Sequence, residues 1–242
     1  MKRTTIITFF MLIVVVAGNR WTIKAENGCF AHRKSCLDAL EKVEKRLQAP
    51  FGSTAAEDSC IHALNNIISC KLLSDSERIR PRLLLDWALK NRIGQPAHDI
   101  AFVEVDNRAH RLSDYKAPLT LLYFNDPDCD ACQLVKSRLD TCEMLKHDSV
   151  QVIAIYPGDD EKHWRQTSMP HYVINGWDKS QAIEEEETYF LPTLPTFYLL
   201  GEEHQVLIKN EPSLNAILAR LSALLYPMAS SKNSPLLPGA TR

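Results

Sequence analysis

The sequence lacks three features, each of which would have pointed to a particular class of protein. It has no excess of basic residues: its formal net charge is −2 at pH 7, so we expect no broad basic surface for nucleic acid or for an anionic membrane. It has no internal repeat. It also has no apolar run of about 20 residues, the length that a membrane-spanning helix needs. With 45% hydrophobic and 24% charged residues, the composition is that of an ordinary globular protein.

The main apolar run near the N-terminus is short and extends from Ile6 to Ala17. It follows two basic residues, Lys2 and Arg3, and small residues come directly after it. This order predicts a secretory signal peptide over residues 1–25. The candidate cleavage sites follow Ala17, Gly18 and Ala25. An uncleaved anchor is the alternative, but we expect an exported, for example periplasmic, protein with no stable membrane span after cleavage.

Residues 26–93 are predicted to form an all-helical segment. Apolar residues recur every three or four positions over residues 29–48, again from about Cys60 to Lys71, and again over residues 76–91. Gly94-Gln95-Pro96 then interrupts the pattern, and we place a domain boundary there. The final residues, 227–242, are rich in Ser, Pro and Lys and are expected to be disordered.

From residue 96 onward, short apolar stretches alternate with helical ones. The predicted strands are residues 101–105, 120–124, 150–156, 196–200 and 205–208. The predicted helices are residues 129–145, a short one around Trp164, residues 178–187 and residues 214–226. This alternation predicts an α/β domain over residues 94–226, with its last two strands forming an antiparallel hairpin.

Export would place the seven cysteines where disulfides form and persist. Four lie in the helical segment, and we predict that they form structural disulfides: Cys29, Cys36, Cys60 and Cys70. Four cysteines admit three pairings, and a hairpin that turns near Ser53 favours a bond between Cys36 and Cys70. Cys142 lies on a predicted helix stripe and is interpreted as a buried thiol that acts as a small apolar side chain.

The remaining two cysteines are Cys129 and Cys132, in the segment L-L-Y-F-N-D-P-D-C-D-A-C. An apolar strand ends, a polar turn follows, and Cys129 comes where a helix is predicted to begin. Free N–H groups and the helix dipole stabilise a thiolate at this position, and the thiolate is the species that attacks a disulfide. Cys132 would lie one turn deeper, within reach of a mixed disulfide on its neighbour. We therefore predict that Cys129 is the nucleophile and Cys132 the resolving thiol.

Leu194 and Pro195 form a second motif, L-P-T-F-Y-L-L, at the start of a predicted strand. Proline is tolerated there because its missing N–H is not needed by the sheet. A cis bond before Pro195 would make a tight bend beside the cysteines and would present backbone to a substrate peptide. We predict that Leu194 and Pro195 form the edge on which the substrate docks.

Four stretches together resemble the thioredoxin-like fold family, and in particular the exported thiol-disulfide oxidoreductases of Gram-negative envelopes. They are G-Q-P-A-H-D-I-A-F, L-L-Y-F-N-D-P-D-C-D-A-C, V-I-A-I-Y-P-G-D-D and L-P-T-F-Y-L-L. The resemblance implies a central mixed sheet flanked by helices, redox-active Cys129 and Cys132, a cis Pro195, and a preceding helical segment of unknown function. The sequence departs from the family at Tyr123, where relatives carry a buried acid or Asn, and at Asp128, where an aromatic residue is usual.

Three acids beside the cysteines, Asp126, Asp128 and Asp130, allow a prediction of the redox potential. Nearby negative charges destabilise a thiolate and therefore the reduced form, which makes the pair harder to reduce. We expect a potential nearer to that of thioredoxin, about −270 mV, than to that of a strongly oxidising disulfide catalyst, about −120 mV. A redox titration that gives a value above roughly −150 mV would contradict this prediction.

The predicted function is the reduction or exchange of protein disulfides by Cys129 and Cys132. It needs no cofactor or metal, because electrons would arrive from an upstream dithiol protein. One open alternative is a redox-inactive binding module whose helical segment docks a partner. A zinc site is disfavoured because four ligands are needed and the sequence has no second C-x-x-C and no H-x(3–5)-H pair. A peroxiredoxin is disfavoured because the P-x-x-x-T-x-x-C setting is missing.

Overall fold

The computed structural model describes residues 32–51 and 53–227. The predicted signal peptide, Cys29 and residues 228–242 of the predicted tail lie outside these ranges. Within them, no helix has both the length and the apolar character that crossing a bilayer requires.

In the described part of the N-terminal segment, the chain forms three helices, as predicted: α1 (Arg33–Leu47), α2 (Thr54–Ile68) and α3 (Ile79–Leu89). A single 3-10 turn, Ser76–Arg78, precedes α3. Ser53 ends the connection to α2 by accepting a hydrogen bond from the Ala56 N–H, which satisfies one of the free donors at the helix start. The apolar stripes of the three helices meet in a small core of their own, so packing rather than intrinsic propensity holds the segment together.

Seven strands form one mixed sheet in the order β2-β1-β5-β4-β3-β6-β7. Their bounds are β1 (Ala101–Glu104), β2 (Ala109–Arg111), β3 (Leu119–Phe124), β4 (Val150–Tyr156), β5 (Val173–Trp177), β6 (Thr196–Leu200) and β7 (Val206–Glu211). Strands β3, β4 and β5 are parallel, and all other neighbours are antiparallel. The predicted α/β class with a mixed central sheet is therefore confirmed.

Helices cover the sheet, and two of them define the face on which the cysteines lie. The helices are α4 (Asp130–Leu139), α5 (Glu161–Arg165), α6 (Ala182–Glu185) and α7 (Leu214–Leu225), with 3-10 turns at Leu112–Asp114, Glu143–Lys146 and Glu202–His204. Alternate residues of a strand point to opposite faces. Leu121 and Tyr123 therefore pack with α4 and α7, while Leu122 and Phe124 join the core on the opposite face.

Two predicted helices are shorter in the structure. The helix expected over residues 129–145 ends at Leu139, and a separate 3-10 turn follows. The helix expected over residues 178–187 is reduced to α6, because Asp178 is buried and accepts a hydrogen bond from the Ile183 N–H at 2.8 Å. Gln181 between them has a left-handed φ of 56°, which a regular helix excludes.

The chain passes from the helices into the sheet at Gly94. Its N–H donates to the Val206 carbonyl at 2.8 Å, and the Val206 N–H donates to the Gln95 carbonyl at 2.9 Å. Gly94 has a φ of 82°, a conformation that favours glycine. The domain boundary at residue 94 stays a prediction.

A buried ion pair joins the helical segment to the sheet. Lys209 of β7 contacts the carboxylate of Glu57 of α2, and both side chains are almost completely buried, at 3% and 0% exposure. The Lys209 ammonium also donates to the carbonyls of Ala88 and Lys90, at 3.3 and 3.1 Å. Burial lowers the pKa of Lys209, and the hydrogen bond and charge of Glu57 oppose that shift. The pair therefore fixes the helices against the far edge of the sheet.

Candidate functional site

Cys129 and Cys132 lie at the start of α4, and a disulfide joins them. Their Cα atoms are 5.1 Å apart, within the usual range for a disulfide. Cys129 is the N-cap of the helix, and its Sγ accepts a hydrogen bond from the Cys132 N–H at 3.1 Å. Cys129 is half-buried, whereas Cys132 is only 3% exposed. The outer sulfur thus has the setting that stabilises a thiolate.

The turn before Cys129 is held by hydrogen bonds at both of its ends. The Asn125 side chain is buried and donates to the Ile155 carbonyl of β4 at 3.2 Å. Asp126 Oδ1 accepts from the Asp128 N–H at 2.7 Å, and the Asp126 carbonyl accepts from the Cys129 N–H at 3.1 Å. These bonds bring the chain from the end of β3 to the start of α4 in one defined conformation.

Leu194 and Pro195 lie directly beside Cys129. The Leu194 carbonyl oxygen is 3.4 Å from Cys129 Sγ, and the Leu194–Pro195 peptide bond is cis. Pro195 is buried and precedes β6, whereas Thr193 on its other side is exposed. The structure therefore brings together residues that are 65 positions apart in the sequence. All four predicted site residues, Cys129, Cys132, Leu194 and Pro195, meet at this edge.

Tyr123 lies beneath the disulfide, where the resemblance suggests an acid or Asn. Its side chain is completely buried and stacks on Phe197, with ring centroids 5.1 Å apart. Its hydroxyl donates to the Cys132 carbonyl at 2.9 Å. Burial raises the pKa of Tyr123 far above its usual value, so the phenol stays neutral. It ties the first turn of α4 to β3 by a hydrogen bond but does not serve as a base near neutral pH.

His163 is a neighbour of the site that sequence reasoning missed. Its Nε2 atom lies 3.0 Å from Asp128 Oδ1, and Asp128 immediately precedes Cys129. The only available signal was topological: Asp128 follows β3 and His163 follows β4, and the carboxyl ends of neighbouring parallel strands meet at one edge of a sheet. One side-chain ligand atom each of Asp126, Asp128 and His163 lies within 4.8 Å of the others, a spacing that would admit a cation, but exposed acids commonly lie this close without one.

The other described cysteines do not match the predicted pairing. Cys60 and Cys70 carry free thiols, so the expected bond between Cys36 and Cys70 is not formed. Cys60 and Cys70 are buried in the core of the helical segment, where each packs as a small apolar side chain, and Cys36 is buried in the same core. Cys142 is also a free thiol, but it lies beyond the end of α4 and is only partly buried, so its predicted place on a helix stripe was wrong.

Solved structures with a similar fold were found. A thioredoxin-like protein from Bacteroides caccae is 27% identical with a TM-score of 0.64, and the match covers 77% of this chain and 76% of that one. A conserved protein of unknown function from Bacteroides fragilis is 31% identical with a TM-score of 0.51. That match covers 54% of this chain and 98% of the other. The C-terminal domain of an uncharacterized Bacteroides fragilis protein is 27% identical with a TM-score of 0.52. That match covers 55% of this chain and 98% of the domain.

A scan against models of protein families finds no match, and a search of curated proteins finds none either. The structural matches nevertheless agree with one another, and the first of them extends over the helical segment as well as the sheet. Together with the site geometry, they show that the chain belongs to the thioredoxin-like family.

Proposed function

We propose that the protein is an exported thiol-disulfide oxidoreductase that reduces or exchanges disulfides in other proteins. One observation carries the proposal: a C-x-x-C disulfide lies at a helix N-terminus, with its outer sulfur 3.4 Å from the carbonyl that precedes the cis Pro195. This geometry presents a reactive sulfur and a length of backbone to the same substrate peptide.

In the proposed reaction, the Cys129 thiolate attacks one sulfur of a substrate disulfide. The substrate S–S bond breaks, a mixed disulfide forms on Cys129, and the released substrate thiolate takes up a proton. Cys132 then loses its proton and attacks Cys129 Sγ, which closes the protein disulfide and releases the second substrate thiol. Two electrons pass to the substrate, and an upstream dithiol protein would restore the reduced enzyme. Leu194 and Pro195 would hold the substrate chain during both steps.

The second candidate is a redox-inactive binding module with a structural disulfide, in which residues 26–93 dock a partner. The neutral Tyr123 favours this candidate, because no acid occupies the position beneath Cys132 at which the family often carries one. The two candidates differ in one respect that can be measured, namely whether Cys129 forms mixed disulfides with other proteins.

Replacement of the resolving thiol tests the proposal. The Cys132→Ser variant should accumulate mixed disulfides on Cys129 in extracts of the source cells, because the second attack is lost while the first is kept. Non-reducing gels and mass spectrometry would detect the adducts, and dithiothreitol should release them. The matched control is the double variant Cys129→Ser/Cys132→Ser. If the single variant traps no more protein than the double variant, the oxidoreductase proposal fails and the binding module is favoured.

A further inference from the structure

Five aspartates follow the carboxyl ends of the parallel neighbours β3 and β4, at the edge of the sheet where Cys129 lies, and we call them the acidic rim: Asp126, Asp128, Asp130, Asp159 and Asp160. Asp128 and Asp130 flank Cys129 in the chain, and both are exposed. The other three follow the carboxyl ends of β3 and β4. One carboxylate oxygen of Asp126 lies within 4.8 Å of ligand atoms of both Asp128 and His163, and Asp160 Oδ1 accepts a hydrogen bond from the His163 N–H at 2.9 Å. The charges of Asp126, Asp159 and Asp160 also add, after burial, to the upward shift of the Tyr156 pKa.

Among the described residues, none of the five carboxylates of the acidic rim forms a direct ion pair with lysine or arginine. Arg165, in the neighbouring helix α5, is engaged elsewhere. It pairs with Glu161 at 2.7 Å and donates to the Val105 carbonyl at 2.8 Å. His163 contacts two of the rim aspartates: its Nε2 atom lies 3.0 Å from Asp128 Oδ1, and its backbone N–H donates to Asp160 Oδ1 at 2.9 Å. Acids at other surfaces, such as Glu44 and Asp99, do pair with arginine.

On the side of Leu194, the backbone approaches Cys129 Sγ, and the three residues Thr193, Leu194 and Pro195 are uncharged. A substrate peptide that lies along this neutral edge places its cysteine at Cys129. The residues next to that cysteine then reach Asp128 and Asp130, whose side chains are open to solvent.

We infer that the acidic rim selects polypeptide substrates in which basic residues flank the disulfide. This inference rests on the proposed function. Uncompensated charges of one sign around a site raise the local concentration of oppositely charged partners and repel like-charged ones. Lysine or arginine beside the substrate cysteine would also offset the repulsion between the rim and the Cys129 thiolate. The rim would therefore favour basic substrates twice, in the rate of association and in the rate at which the thiolate attacks the disulfide.

The test uses two short peptides, each cyclised by one disulfide and identical except for lysine or glutamate on both sides of each cysteine. Reduced full-length protein reduces each peptide in a single turnover at pH 8, where histidine side chains are predominantly neutral. The rate ratio of the two peptides is divided by the same ratio for dithiothreitol, which removes the difference in their intrinsic reactivity. The normalised ratio for the wild type should favour the lysine peptide on the order of tenfold at low salt.

Two double variants, each of which removes two negative charges, distinguish an effect of the acidic rim from an effect of net charge. Asp128→Asn/Asp130→Asn should reduce the normalised ratio to within about twofold of unity, because it removes the two acids that flank Cys129. Glu202→Gln/Glu203→Gln, in the exposed turn at the other end of β6, should leave the ratio unchanged. Sodium chloride at 0.5 M should shrink the wild-type ratio severalfold, since exposed charges are screened.

Each outcome decides a different claim. Equal normalised rates for the two peptides, or equal effects of the two double variants, overturn the inference and leave the proposed function intact. Reduction of neither peptide overturns the proposed function and, with it, the inference about substrates.

Discussion

Replacement of Cys129 by serine is expected to abolish the reduction of insulin disulfides, with a loss on the order of a thousandfold or more. The thiolate of Cys129 is the attacking atom in the proposed reaction, and serine has no comparable nucleophile at neutral pH. Cys132→Ser should also lose turnover, because the mixed disulfide is not resolved. The measurement is the precipitation rate of insulin chains in the presence of a reductant.

The chain offers a control for the loss of a thiol as such. Cys142 is a free and partly buried thiol outside the disulfide, and Cys142→Ser should keep at least about half of the wild-type rate, since the sulfur takes no part in the proposed exchange. Wild-type activity in Cys129→Ser would contradict the assignment of the nucleophile. An equal loss in Cys142→Ser would show that activity depends on another thiol.

The second large effect concerns stability. Lys209→Met should lower the free energy of unfolding by about 3–5 kcal/mol, because Glu57 would keep a buried charge without its main partner. Arg92 is the only other cation paired with Glu57 within the described residues, and its Nε atom lies 3.5 Å away. Urea unfolding of the oxidised protein, followed by tryptophan fluorescence, measures the change.

Two further variants test whether the buried charge of Glu57 causes the loss of stability in Lys209→Met. Lys45→Met removes an exposed ion pair with Glu41 and should cost less than about 1 kcal/mol. Glu57→Leu/Lys209→Met removes both buried charges and should recover much of the loss, because an apolar pair needs no desolvation of charge. A change below 1 kcal/mol in Lys209→Met would contradict the role given to the pair.

The sheet could be predicted where strands are buried on both faces. Val150–Tyr156 is a continuous apolar run, and the predicted bounds match β4. β5 was missed because Asn175 and Gly176 interrupt its apolar pattern. A Cβ atom at Gly176 would lie 2.6 Å from the Phe102 ring, so the glycine is needed for close packing between neighbouring strands. Nothing in the local pattern of β5 reveals that requirement, which depends on a residue of β1.

At the site, sequence spacing located the cysteines and the proline but not their polar neighbours. A C-x-x-C pair at a helix start and a proline at a strand start are local signals, and each was visible in isolation. The contact of His163 with Asp128 and the hydrogen bond from Tyr123 to the Cys132 carbonyl join different elements. Such contacts depend on how elements pack, which no fixed spacing along the chain encodes.

The contacts that α3 and the residues directly after it make with the chain leading to Leu194 have a consequence for the role of the helical segment. Trp87 stacks on Phe190 with centroids 4.8 Å apart and donates to Glu187 at 2.8 Å, and Asn91 donates to the Thr188 carbonyl at 2.9 Å. The helical segment thus packs against the stretch that leads to Leu194 and Pro195. If these two residues hold the substrate as proposed, changes in α3 are expected to weaken substrate binding even though α3 contributes no residue to the disulfide.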